Sequence, residues 1–97
     1  MTIHSTAENE VIVIDVRTLE EYQQSHIKNC QLIDFYSPDF PSKIASLDKS
    51  KTYKLYCRSG NRSGQAVQLM KTLGFGNVEN LGSLEQASHI LKIECVK

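Results

Sequence analysis

Apolar residues run along this chain in short bursts of two kinds. Unbroken runs of about five residues alternate with stretches in which apolar positions recur every three or four. "VIVID" (11–15) and "TYKLYC" (52–57) are of the first kind, with "CQLID" (30–34) and "NVENL" (77–81) as shorter members. An unbroken β-branched run such as 11–15 is expected to form a strand buried on both faces, as in a parallel sheet. The polar start "MTIHSTAENE" offers only Ile3 to a short edge strand. The second kind begins with "TLEEYQQSH" (18–26), where Thr18 and Glu21 have capping-box spacing and Leu19 and Tyr22 turn inward. "FYSPDFPSK" (35–43) holds both prolines and is expected to be a loop leading into a short helix over "PSKIASL" (41–47). "SGQAVQLMKTLG" (63–74) places Ala66, Leu69, Met70 and Leu73 at helical spacing, with Gly74 as its stop. "SLEQASHILK" (83–92) predicts a closing helix with Leu84, Ala87, Ile90 and Leu91 partly inward.

Strands and helices therefore alternate, and the links between strands are long enough for crossovers. That order predicts an α/β fold, a mainly parallel sheet of about four to five strands flanked by helices. Strand order does not follow from periodicity. Sheets of this class carry their sites beyond the carboxyl ends of the strands, and Asp15 and Cys57 both stand at such ends. The 97 residues fit one domain spanning 1–97, with its core over about 11–92.

Composition narrows the function. Eleven basic and eleven acidic residues cancel, which argues against a nucleic-acid or membrane-surface protein, although two arginines can still make a local basic pocket. No apolar run is long enough for a membrane span. The first ten residues show no basic and apolar leader, so the chain is expected in the cytoplasm; a periplasmic protein whose leader had been removed would present the same sequence. A monomer is the default. The three cysteines, Cys30, Cys57 and Cys95, are odd in number and form no C-x-x-C, which disfavours a disulfide framework and a zinc ribbon. Cys30 and Cys95 are expected to be small buried hydrophobes. Either would resolve a sulfur adduct on Cys57 only if the fold brought it close, which spacing does not show.

Cys57 differs from the other two in its setting, "CRSGNRSGQA" (57–66). A nucleophile at a strand end, just before a helix, points out of the top of the sheet. Gly60 and Asn61 both tolerate positive φ, so the loop can curl. A curled loop turns its N–H groups toward one centre, and the helix expected from about Ser63 aims its positive end there too. A thiolate in that place is stabilised and its pKa falls. Arg58 or Arg62 would reinforce it and grip an oxyanion. The plainer alternative is a surface loop with Ser63 as a cap and incidental charges.

Loop length separates two chemistries. Cysteine-based tyrosine phosphatases use C-x5-R, but here that position is Ser63 and the arginine comes one residue earlier. A smaller ring suits a single sulfur atom better than a phosphoryl group. "VIVIDVRTLEEYQQSHI" followed by "YCRSGNRSGQAVQLMKTLGFGNVENLGSLEQA" resembles the rhodanese family of sulfurtransferases over about residues 11–87, most of all its small single-domain members, the phage-shock type among them. The resemblance rests on D-x-R with an acidic-aromatic pair, H-I, a six-residue cysteine loop, a G-F turn and an L-G-S-L segment.

The resemblance implies a twisted, mainly parallel sheet between helices, and a persulfide carried on Cys57. It implies a cradle of Arg58, Ser59, Gly60, Asn61 and Arg62, in which both arginines bind a thiosulfate-like anion, and Asp15 and Arg17 as a supporting pair. Sulfane sulfur would pass from thiosulfate or a persulfide donor to cyanide or a thiol, with no metal or organic cofactor. The alternative role is a persulfide carrier serving an acceptor protein. A phosphatase or arsenate reductase is disfavoured by the early arginine, and a non-catalytic binding module by the presence of Cys57. The chain departs from the family's usual G-H-I-P-G-A in "SHIKNC", where Asn29 can replace a positive-φ glycine. It also departs in "LGSLEQA", where Ser83 replaces a glycine and no tryptophan follows. His26 is expected to be a structural histidine bonded to backbone, His4 and His89 to be incidental, and Arg17 and Glu21 to be able to pair at i, i+4.

Overall fold

The computed structural model describes residues 10–97. Ile3 and His4 lie outside the described residues. The elements run β1 (Val11–Asp15), α1 (Leu19–Gln24), β2 (His26–Ile27), β3 (Gln31–Leu32), α2 (Phe40–Ala45), β4 (Thr52–Cys57), α3 (Asn61–Thr72), β5 (Val78–Ser83), α4 (Leu84–Leu91) and β6 (Cys95–Val96). Four strands form one sheet in the order β3-β1-β4-β5, and every neighbouring pair is parallel. The chain leaves β1 for β3 on one side, then returns to build β4 and β5 on the other. The sheet's switch point thus falls between β1 and β4, where a crevice opens beyond the strand ends.

Side chains alternate across this sheet and feed two cores. Ile12, Ile14, Val16, Tyr53, Leu55 and Cys57 face a layer made by Phe40 and Ile44 of α2 and Ala66, Val67 and Met70 of α3. Val13 and Tyr56 face the other way, onto Ile27, Leu84, Ala87 and Leu91. Cys57 and Tyr56, adjacent in sequence, therefore serve opposite faces.

Local signals were reliable where they were self-contained. Thr18 caps α1 with the full reciprocal box to Glu21, worth roughly 1 kcal/mol. Asn29 takes φ 68°, as the missing glycine demanded. Ser83 caps α4 in a second box with Gln86, so the residue that replaces the family's glycine begins a helix.

Other expectations are corrected. Only the carboxyl half of β1 is buried, because the layers on either side close over Ile14 and Asp15 and leave Val11 exposed. Leu19 and Ile90 face solvent, since α1 is a single short turn and a half that buries no residue fully, and only Ala87 of α4 is fully covered. The loop over 35–43 ends sooner than expected, for Phe40 is already the buried first residue of α2. The strand expected at 30–34 pairs only at Gln31–Leu32. A second, antiparallel two-stranded sheet, β2 with β6, was not predicted from the sequence. It places Cys95 opposite Ile27 with an exposed side chain, so Cys95 is not a buried hydrophobe.

Candidate active site

At the switch point β1 and β4 run side by side, with Asp15 in register with Tyr56. Beyond Asp15 the chain turns through Val16 and Arg17. Beyond Cys57 it turns through Arg58, Ser59 and Gly60 into α3. Gly60 alone makes that turn: it has φ 97° and is the cap residue of α3. A side chain there would also meet Gly82 Cα at 3.2 Å. Asn61 is already helical, so the helix starts two residues before the expected Ser63 and Asn61 needs no left-handed conformation. Its side chain instead accepts from Gln65 on the outer surface.

The tight turn delivers donors to the sulfur. Cys57 Sγ accepts from the Gly60 N–H at 3.0 Å, from the Ser63 N–H at 3.5 Å and from the Ser63 hydroxyl at 3.3 Å. Burial pushes the thiol up, but the Ser63 hydroxyl and the N–H groups of Ser63, Ser59 and Gly60 outweigh it, so the thiol sits below its ordinary value. Ser63 is itself fully buried and its hydroxyl also lies 2.7 Å from Asn80 Oδ1. Asn80, on β5, donates from Nδ2 to the Gly60 carbonyl at 3.0 Å and accepts from the Gly82 N–H at 3.0 Å. Sequence reasoning missed Asn80 and gave Ser63 no more than a capping role. The signal for Ser63 was present, since it occupies the place of the phosphatase arginine.

The two loop arginines are placed differently. Arg62 is held by Glu21 through two hydrogen bonds of 2.9 and 3.2 Å, and its guanidinium stands 5.5 Å from the centre of the Tyr36 ring. The bonds from Arg62 hold the Glu21 carboxyl down at about 2, against a partial burial that raises it. Glu21 therefore pairs across to α3 and not with Arg17, which precedes α1. Arg58 is exposed and makes no ion pair among the described residues. It lines a cleft of about 400 Å³ together with Arg17, Glu21, Gln24, Leu84 and Glu85.

Arg17 and Asp15 form a buried pair across the switch point. The guanidinium gives Asp15 bonds from Nε at 3.0 and 3.1 Å and from Nη2 at 2.8 Å. The Arg17 N–H and the Tyr56 hydroxyl complete the carboxylate's partners at 2.9 and 2.8 Å. The Tyr56 hydroxyl also accepts from the Ile27 N–H at 3.0 Å, and burial pushes its own pKa up. Cys30 lies against this hydroxyl at 3.6 Å, on the face away from Cys57, and burial pushes its thiol up. His26 Nδ1 sits 2.8 Å from the Tyr22 carbonyl and the ring stacks on Tyr22 at 3.7 Å. It is a structural histidine, as expected.

The chain that carries this strand-end cysteine and the buried Asp-x-Arg pair matches a known domain. The family model for a rhodanese-like domain matches residues 4–88. The chain belongs to the rhodanese family. Thiosulfate sulfurtransferase PspE of Escherichia coli is 39% identical over 74 residues, covering 74% of this chain and 69% of that protein. The putative sulfurtransferase YtwF of Bacillus subtilis is 36% identical over 78 residues, or 80% of this chain and 74% of that one. A solved rhodanese with anions from E. coli superposes with a TM-score of 0.75 at 34% identity, over 91% of this chain and 99% of that one. In this rhodanese, as the resemblance implied, the fold is α/β with a parallel sheet between helices. Among the described residues no helix is long and apolar enough to cross a membrane.

Proposed function

We propose that this rhodanese is a thiosulfate-type sulfurtransferase that carries sulfane sulfur as a persulfide on Cys57. Sulfur transfer as a class follows from the family and from relatives named as sulfurtransferases. The observation that carries the rest is the convergence of three donors, the N–H groups of Gly60 and Ser63 and the Ser63 hydroxyl, on one sulfur atom. The Cys57 thiolate attacks the outer sulfur of thiosulfate. A new S–S bond forms, the bond to the sulfonate sulfur breaks, and sulfite leaves with its electron pair. The product is Cys–S–S⁻, whose charge meets the loop N–H groups and the amino end of α3. Cyanide or a thiolate then attacks the outer sulfur and the Cys57 thiolate is regenerated, so the kinetics are ping-pong.

Arg58 is the residue we assign to the sulfonate, because it lines the cleft at the loop and has no ion-pair partner among the described residues. Arg62, tied to Glu21, braces the loop and adds positive potential to the sulfur. Ser59, Gly60 and Asn61 contribute backbone to the cradle, and Asp15 with Arg17 supports it from β1.

The test is intact mass after incubation with thiosulfate and removal of the excess. A gain of one sulfur (~32 Da) on the wild type and none on Cys57→Ser supports the reading. No gain on the wild type overturns it. A persulfide that forms but is surrendered only to a protein acceptor, with no turnover on cyanide, replaces the enzyme with a sulfur carrier.

A further inference from the structure

The Ser63 hydroxyl has two acceptors and one proton. Asn80 Oδ1 lies at 2.7 Å and Cys57 Sγ at 3.3 Å, and a hydroxyl donates only once. Ser63 is fully buried, so water does not replace its hydroxyl at the Cys57 sulfur, whereas Asn80 is exposed, and losing the donor to the sulfur is destabilising. Asn80 is fixed for this competition. Its Nδ2 is committed to the Gly60 carbonyl and its Oδ1 already holds the Gly82 N–H, so the amide cannot flip without breaking both.

We infer that Asn80 is a positioning residue that holds the Ser63 hydroxyl whenever the Cys57 sulfur is uncharged and releases it when that sulfur is a thiolate. This rests on the persulfide reading for its use in the catalytic cycle. In the resting thiolate the hydroxyl swings to Sγ, because a charged acceptor is stronger than a neutral amide. Loading moves the negative charge to the outer sulfur, and Sγ becomes a weak neutral acceptor. The hydroxyl then rotates back to Asn80. No proton is transferred; one hydrogen bond is exchanged for another. Asn80 thereby stabilises the thiol and the loaded enzyme relative to the thiolate, which favours loading and slows premature discharge.

The first readout needs no sulfur chemistry. The rate of Cys57 alkylation by iodoacetamide is followed against pH in wild type, Asn80→Ala, Ser63→Ala and the double variant. The charged groups around the sulfur, Arg58 of the loop, Arg62 of α3 and Glu21 of α1 behind Arg62, are the same in all four. Asn80→Ala frees the hydroxyl for the thiolate and lowers the midpoint by roughly 0.5–1 pH unit, the effect of one hydrogen bond. In the Ser63→Ala background the same change leaves the midpoint in place. Asn80→Asp keeps the acceptor, loses the donor to Gly60 and raises the midpoint by more in the wild-type Ser63 background than in Ser63→Ala, where only the charge of the new carboxylate acts. Thermal melting of each variant verifies folding, which the exposed position of residue 80 favours. Equal shifts in both Ser63 backgrounds, or shifts of one sign for Asn80→Ala and Asn80→Asp, overturn the inference and assign the effect to the Gly60 carbonyl. The second readout is the persulfide fraction at fixed thiosulfate and sulfite, which falls roughly 2- to 10-fold in Asn80→Ala. If wild type never gains sulfur, the persulfide reading fails while the alkylation cycle still decides the hydroxyl exchange.

Discussion

Tyr56 and Cys57 are neighbours in β4, yet they stand in opposite electrostatic regimes. On Tyr56's face a carboxylate and a guanidinium are buried together, and the Asp15 charge meets Arg17 and the Tyr56 hydroxyl at 2.8 to 3.1 Å. Every partner is protein, and the charges cancel in place. On Cys57's face donors again surround one group, but the guanidinium of Arg62 is already committed to Glu21. The donors are N–H and O–H dipoles, fixed by a loop, around an atom that can gain or lose charge. A closed set of partners makes structure, while an open set aimed at one polarizable atom makes chemistry.

The sharpest way to break the comparison is Cys57→Ser. Thiocyanate formation from thiosulfate and cyanide should fall by on the order of 10³-fold or more, with no sulfur gained in the mass spectrum and little change in melting. Asp15→Ala should do the reverse. It leaves the Arg17 charge buried without its partner, and urea unfolding should show a loss of about 3–5 kcal/mol. Arg58→Ala should raise the thiosulfate KM roughly tenfold and leave the urea midpoint alone. Tyr56→Phe, which strips one hydroxyl from Asp15 and the Ile27 N–H, should cost about 1–3 kcal/mol in the same unfolding assay.

Acid sharpens it further. The Glu21 carboxyl sits at about 2 when folded, against an ordinary value of 4.5. A depressed carboxyl contributes stability that is present above the unfolded value and lost as pH falls toward the folded one. Wild type should therefore lose stability as pH falls from 4.5 to about 2, and Glu21→Gln should flatten that part of the curve.

Some of this was legible from the residues alone. The order of strand, cysteine, turn and helix lies within one stretch of chain, and its meaning depends on neighbours no more than about six residues apart. The Thr18 box and the Asn29 turn are local in the same sense. The Glu21 partner of Arg62 is not legible from the sequence, because it lies 41 residues away and meets the arginine only once β1 and β4 stand side by side. Asn80 was hidden for the same reason, in a strand whose polar residues gave no sign of facing the loop. The pairing of β2 with β6 depends on two dipeptides, "HI" and "CV", too short for any period to register.

The alternation of β4 also limits which lengths of chain the fold can accept. Deleting one residue among Thr52–Leu55 would turn the end of the strand over, presenting the phenol to the loop at 58–60 and the thiol to the buried ion pair. An insertion would do the same. Residue exchange in this strand is thus a graded risk, but any odd change in its length swaps two functions at once. Natural length variation in such a domain should collect in the connection around residues 34–39, where it leaves the handedness of the strand end untouched.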